Sequence, residues 1–302
     1  MERYSAQSPD QTQMTFITRL TNAVQTKKSV VLVGLDPRLE SLPESCAGSF
    51  LDFSKGIIDV VAPLVPAVKP QVAFFEQYGP EGMSLLKQVV DYARQNGLLV
   101  ILDGKRNDIG TTAAAYAEGM IGEQSVWGGD AMTVSPYLGD DSLTPFFETA
   151  EKRGGGVFVL VKTSNPGGAM LQDLQTADGK PIYQHVAEYV QTASEKSRLT
   201  GRYGLVGAVV GATWPEQLAQ LRHLMPNVWF LVPGFGAQGG SAEDVAGAFD
   251  ADGLGAIVNN SRGIIFAHTQ KKYAGLDWQR AVELATREMN EQLSKFSVTN
   301  PM

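Results

Sequence analysis

The stretch Leu98-Leu99-Val100-Ile101-Leu102-Asp103-Gly104-Lys105-Arg106-Asn107-Asp108 decides the fold and much of the chemistry. Its first five residues are apolar without a break. A continuous Val/Ile/Leu run of strand length fits a strand covered on both faces, as in parallel sheets packed under helices. The run then stops on Asp103, Lys105, Arg106 and Asp108, four charged residues within six positions. Charge that ends a buried strand stands at the edge of a sheet, where α/β proteins hold their ligands.

Working outward, seven more runs repeat the pattern. They are residues 29–36 (SVVLVGLD), 67–71 (AVKPQ), 130–136 (DAMTVSP), 156–163 (GVFVLVKT), 204–212 (GLVGAVVGA), 229–236 (WFLVPGFG) and 255–261 (GAIVNNS). With 98–105 they make eight. The stretches between them read as helices: 50–62, 81–96, 111–127, 140–153, 181–198, 215–224, 241–249 and 278–295. Pro215 suits a first helical turn, and Gly97 and Gly154 suit helix ends ahead of a strand. Eight βα units predict an α/β fold, a closed (β/α)8 TIM barrel. An additional N-terminal helix is expected at about residues 10–26. An open doubly wound sheet is the alternative that counting leaves open. Residues 1–302 are expected to form one barrel domain with its core at about 29–296. Residues 165–180 form a long loop after the fifth run, on the face where barrel enzymes work.

The 302-residue length suits one barrel of roughly 250 residues with extensions. Hydrophobic residues at 43% and charged residues at 19% describe a globular chain with a large core. A net charge of −7 argues against general binding to nucleic acid or anionic membrane, and leaves room for a local basic pocket. The single Cys46 rules out an internal disulfide and a cysteine-based metal cluster. No run of about 18 apolar residues is present, and the polar start with Glu2 and Asp10 does not read as a secretory signal. A cytoplasmic location is expected. His185, His223 and His268 lie away from strand ends, and neither HExxH nor GxGxxG after the first strand occurs. No cofactor and no bound metal are expected, although a carboxylate-held magnesium site stays open.

Alternation along a strand puts Ile101, Asp103 and Lys105 on one face. Asp103 and Lys105 then project side by side at the rim, with Asp108 just beyond. A structural ion pair plus a helix-capping Asp108 would explain the same residues. Lys69 interrupts the apolar second run, and neighbouring strands bring it beside Asp103. A lysine that snorkels to the rim is the simpler reading. Asp36 ends the first run before Pro37. It is either a turn former or a carboxylate for a sugar hydroxyl.

The opposite side of the rim reads as a phosphate site. Pro233 to Gly240 is glycine-rich and includes Gln238 and Gly239, and Asn259-Asn260-Ser261-Arg262-Gly263 follows the eighth run. Glycines let backbone N–H groups approach an anion, and Arg262 adds a charged fork. Two glycine-rich turns with a surface arginine are the alternative. Ser164 and Asn165, after the fifth run, are either ligand readers or loop starters.

Asp103-x-Lys105-x-x-Asp108, with its flanks from Leu102 to Gly110, resembles the signature of orotidine 5′-phosphate decarboxylases of the longer bacterial class. Val33 to Arg38, Val68 to Gln71, Thr163 to Gly167, Val232 to Gly236 and Asn260 to Gly263 are similar to that family too, so the likeness runs from about Val30 to Phe266. The DxKxxD motif alone is shared with sugar-phosphate decarboxylases and synthases of the same superfamily, some metal-dependent. The resemblance implies conversion of orotidine 5′-phosphate to UMP by a tetrad of Lys69, Asp103, Lys105 and Asp108, with Lys105 as proton donor. It implies ribose contact by Asp36, reading of the pyrimidine edge by Ser164 with Asn165 beside it, and phosphate contact by Gln238, Gly239 and Arg262. It also implies a homodimer in which Asp108 crosses the interface.

Overall fold

The computed structural model describes residues 14–122, 124–199, 201–236 and 239–297. Among the described residues, eight parallel strands follow one another in chain order and close into a barrel. They are β1 (Val31–Leu35), β2 (Ala67–Pro70), β3 (Leu99–Arg106), β4 (Ala131–Val134), β5 (Gly156–Lys162), β6 (Val206–Val210), β7 (Phe230–Val232) and β8 (Ala256–Asn260). Closure is made where Val31 pairs with Val258 and Leu32 with Asn259. Closure removes the open edges of a sheet, so the open doubly wound alternative is set aside. β1, β2, β4, β6, β7 and β8 are buried along their whole length, which is why their runs read as continuously apolar.

The helices are α1 (Phe16–Lys27), α2 (Phe50–Val61), α3 (Ala73–Glu76), α4 (Gly79–Gln95), α5 (Gly110–Met120) and α6 (Asp140–Arg153). They continue with α7 (Ala169–Gln172), α8 (Ile182–Lys196), α9 (Pro215–Leu224), α10 (Ala242–Val245), α11 (Arg262–Ile265) and α12 (Trp278–Leu293). None is long and apolar enough to cross a membrane. Helix α1 starts at Thr15, whose hydroxyl accepts from the Thr18 amide. Residues 10–13 of the expected leading helix lie outside the described residues. The Phe16 ring fills the space over Gly156 at the start of β5, where a Cβ would strike it, and meets Phe158 edge-on. Helix α1 therefore packs at the end of the barrel opposite the strand C-termini.

Two helices are shorter than their sequence suggests. Residues 111–127 were expected to be helical throughout, yet α5 ends at Met120. Ile121 turns extended and bridges to Gly129, and Gly122 takes φ +85°, which favours glycine. The expected helix at 241–249 is α10 followed by a 3-10 turn, started by a Ser241–Asp244 capping box.

Two strands leave regular register near their C-terminal ends. In β3, Leu102 pairs with Met132 and Arg106 with Val134, so residues 103–105 stand opposite Thr133 alone. Lys105 takes a left-handed backbone there, φ +45°. In β5, Leu160 pairs with Val209 and Lys162 with Val210, so Val161 is the extra residue. Such bulges re-aim the side chains that follow them.

Candidate active site

The C-terminal strand ends surround a cavity of about 430 Å³, within the range of small-molecule sites. Leu160, Val209 and Leu231 form apolar wall. Asp103 is the centre of its polar side. It is 6% exposed, and each carboxylate oxygen accepts two hydrogen bonds. Oδ2 accepts from Lys69 Nζ at 2.8 Å and from Gln71 Nε2 at 3.1 Å. Oδ1 accepts from Lys105 Nζ at 2.7 Å and from Thr133 Oγ1 at 2.8 Å.

The β3 bulge explains the arrangement. Thr133 is the inward residue of β4, and Asp103 and Lys105 flank it on β3. The Thr133 oxygen accepts from the Lys105 amide at 2.9 Å while its hydroxyl donates to Asp103. One hydroxyl thus fixes the carboxylate and the bulged backbone together. Arg106 leaves the site. It faces outward, donates to Glu76 at 2.7 Å and lies over the Tyr116 ring.

Electrostatics favour the charged forms. Burial alone would raise the Asp103 pKa, but the Lys69 and Lys105 charges and their hydrogen bonds hold it well below the usual carboxylate range. Burial would lower the Lys69 pKa, but the charges of Asp103 and Asp36 outweigh it and raise it above the ordinary lysine value. The Lys69 side chain is 5% exposed and that of Lys105 46%. Lys69 is therefore sealed into the network, and Lys105 stands at its wet edge.

The rest of the cavity is less constrained. Asp36 lines it with a buried Oδ1 that has no protein partner, and Asn259 presents another such acceptor. Ser261 projects against Gly34, where a Cβ would collide with it. Arg262 is exposed at the rim and lines the cavity, with no carboxylate partner among the described residues. No three His, Cys, Asp or Glu side chains among the described residues are placed to share a metal ion.

The family model described as orotidine 5′-phosphate decarboxylase / HUMPS family matches residues 30–275, nearly the whole barrel. The chain belongs to that family. A relative from Rhodopirellula baltica named orotidine 5′-phosphate decarboxylase is 57% identical over 301 residues, covering 93% of this chain and 99% of its own. One of the same name from Deinococcus radiodurans is 44% identical over 278 residues, covering 90% and 94%. The solved structure of Leishmania donovani OMP decarboxylase superposes with a TM-score of 0.76 at 35% identity, covering 94% of this chain and 99% of its own.

In this member of the orotidine 5′-phosphate decarboxylase family the cavity gathers Asp36, Lys69, Asp103 and Lys105 with Ser164, Asn165 and Arg262. Asp108 is not in its wall. The Asp108 carboxylate accepts from the next amide, Ile109, and does not cap α5. Gly239 is exposed and outside the wall, and its amide donates to the Gly236 carbonyl within the turn. The amides of Gly236 and Gly240 are likewise taken up inside the loop. Gln238 lies outside the described residues. Sequence reasoning missed Thr133 and Gln71. Thr133 carried a signal, since it is the polar residue at an inward position of an apolar run. Gln71 carried less, because only the β2–β3 register brings it to Asp103.

Proposed function

We propose that the barrel-mouth cavity is where this carboxy-lyase converts orotidine 5′-phosphate to uridine 5′-phosphate, with Lys105 delivering the proton to C6. The observation that carries the reading is Lys105 Nζ, hydrogen-bonded to a buried, ionised Asp103 on the wall of a nucleotide-sized cavity. The C6–carboxylate bond breaks, its electron pair stays on C6, CO2 departs, and an N–H proton of Lys105 moves to C6. The partly exposed ammonium regains a proton from water. No ring position delocalises the C6 pair well, so a fixed cation beside it is valuable. A charge pair at 4 Å is worth about 4 kcal/mol at an effective dielectric near 20, roughly a thousandfold in rate. Orientation and phosphate binding must supply the remainder.

The other roles follow the chemistry of each group. Asp36 and Lys69 suit ribose hydroxyls, Ser164 and Asn165 the pyrimidine edge, and Arg262 the phosphate. Gln238 and Gly239 are assigned to the phosphate by their place in the glycine-rich stretch that follows β7. Asp108 is absent from its own cavity wall beside Ile109, which is 56% exposed, and this supports donation across a homodimer interface. A cytoplasmic setting accords with the one free, buried Cys46.

Turnover is followed by the loss of orotate absorbance on mixing protein with orotidine 5′-phosphate, with and without a strong chelator. Equal rates are expected. No turnover overturns the assignment, and turnover only without chelator favours a metal-dependent sister reaction. For the dimer, inactive Lys105→Ala and Asp108→Ala proteins are refolded together. Random pairing leaves about a quarter of sites intact if the two residues come from different chains. No recovery places both in one chain.

A further inference from the structure

Lys162 is a buried cation that the decarboxylation scheme does not use. Its neighbour Leu160 lines the cavity, and regular alternation would send Lys162 there too. The β5 bulge instead pairs it with Val210, whose face is opposite to that of the cavity-lining Val209. Lys162 is therefore turned out of the barrel, where its side chain is 1% exposed. Its Nζ lies 4.7 Å from the Trp214 ring centroid and 5.3 Å from that of Tyr183. It forms an ion pair with Asp173, just past α7. Burying an ammonium this deeply is costly unless it is paired, so the cage and the carboxylate must hold it together.

Trp214 and the chain neighbours of Lys162's partners, Gln172 beside Asp173 and Thr213 beside Trp214, converge on two backbone positions, Thr163 and Ser164. Beside Asp173, Gln172 accepts from the Thr163 amide at 3.0 Å and donates to its hydroxyl at 2.8 Å. Trp214 donates from Nε1 to the Thr163 carbonyl at 2.9 Å, and Thr213 donates to the Ser164 carbonyl at 2.9 Å. Gly211 leaves room for this, since a Cβ there would lie 2.7 Å from Ser164 Cα. Lys162 thus grips the far end of the loop through Asp173 and the β6–α9 turn through Trp214.

We infer that Lys162, caged by Trp214 and Tyr183 and paired with Asp173, is a positioning residue that fixes Ser164 against the pyrimidine edge of the substrate. The inference rests on the reading of Ser164 given above. It assigns the loop of residues 163–173 a fixed geometry set from outside the barrel, by a charge that never meets the substrate.

The test is a double-mutant cycle on kcat/KM for orotidine 5′-phosphate with Lys162→Met, Ser164→Ala and both. Lys162→Met should lose on the order of a hundredfold, the cost of about 1 Å of misplacement. The double variant should lose little more, because Ser164 is already misplaced. Lys162→Arg, which keeps the charge and the ring contacts, should recover most of the activity. If Ser164→Ala alone costs nothing, the pyrimidine-edge reading fails and takes this inference with it. If Ser164→Ala costs activity and the two losses multiply, the edge reading stands and the positioning role is overturned. Asp173→Asn, at an exposed site, replaces Lys162→Met in the same cycle if the latter does not fold. Amide exchange gives a second readout. It should quicken at residues 163–174 and stay unchanged in β1 to β3. Quickening across the whole barrel would make Lys162 merely structural and overturn the inference.

Discussion

Strands β3 and β5 are made of the same material and end differently. Each is an apolar run with a bulge near its C-terminal end, with a lysine inside the bulge in β3 and just past it in β5. In β3 residues 103–105 face one residue of β4, so the insertion is even and Lys105 stays on the cavity side. In β5 the insertion is one residue, so Lys162 flips to the outside. A shift of one residue exchanges the two faces of a strand, and a shift of two restores them. The parity of a bulge, which no residue type announces, decides which lysine faces the cavity and which packs outside the barrel.

The largest effect expected from this contrast is on turnover. Lys105→Ala should lower kcat by at least about 10²–10⁴-fold, the usual share of a general acid, with more from the lost charge. Its melting temperature should stay near that of the wild type, because the side chain is half exposed. Single-turnover kinetics and a thermal melt check both. Substantial turnover in a folded Lys105→Ala protein would break the comparison at its active end.

Next in size is stability at Asp103. Asp103→Asn leaves Lys69 buried without its closest countercharge and should cost about 3–5 kcal/mol by urea unfolding. The pH dependence follows from the two shifts. The Asp103 pKa is depressed, so its contribution is present above the unfolded value of about 3.9 and is lost as pH falls through the native value. The Lys69 pKa is raised, so its contribution is full below the unfolded value of about 10.4 and is lost as pH rises through the native one. Wild-type stability should show both an acid and an alkaline limb. Asp103→Asn should flatten the acid limb, and an unchanged acid limb would detach Asp103 from it.

The smallest effect is a reversal of sign. Lys105 has φ +45°, where a Cβ is strained, whereas Lys162 is not among the positive-φ residues. Lys105→Gly should therefore be more stable than Lys105→Ala by up to about 1 kcal/mol. At position 162 alanine should be the more stable by about 0.5–1 kcal/mol. The same sign at both positions in chemical denaturation would remove the backbone difference between the bulges.

The barrel was legible because parallel strands buried on both faces leave long apolar runs, and all eight were placed within a few residues. Closure was expected from the count of eight βα units, and the pairing of β1 with β8 decides it against the open sheet that counting alone left possible. The rim charges Lys69, Asp103 and Lys105 stood out because each interrupts an apolar run at its end. Alternation put Asp103 and Lys105 on one face, and the structure does so through a bulge and a left-handed lysine that alternation does not contain. Thr133 was hidden by its modest polarity. The role of Lys162 was hidden by parity, since its position in the run is the same as that of a cavity residue. The end of α5 was missed because the turn at Gly122 outweighs the helical spacing that continues past it.

A carboxylate offers about four acceptor positions, and Asp103 has donors from Lys69, Gln71, Lys105 and Thr133 already on them. A ligand designed to donate to it must evict a resident donor and leave that donor unsatisfied. Inhibitor chemistry aimed at this site gains nothing from amides or hydroxyls directed at Asp103. It gains from an anionic or strongly accepting atom directed at Lys105, the member of the cluster with its charge nearest to water.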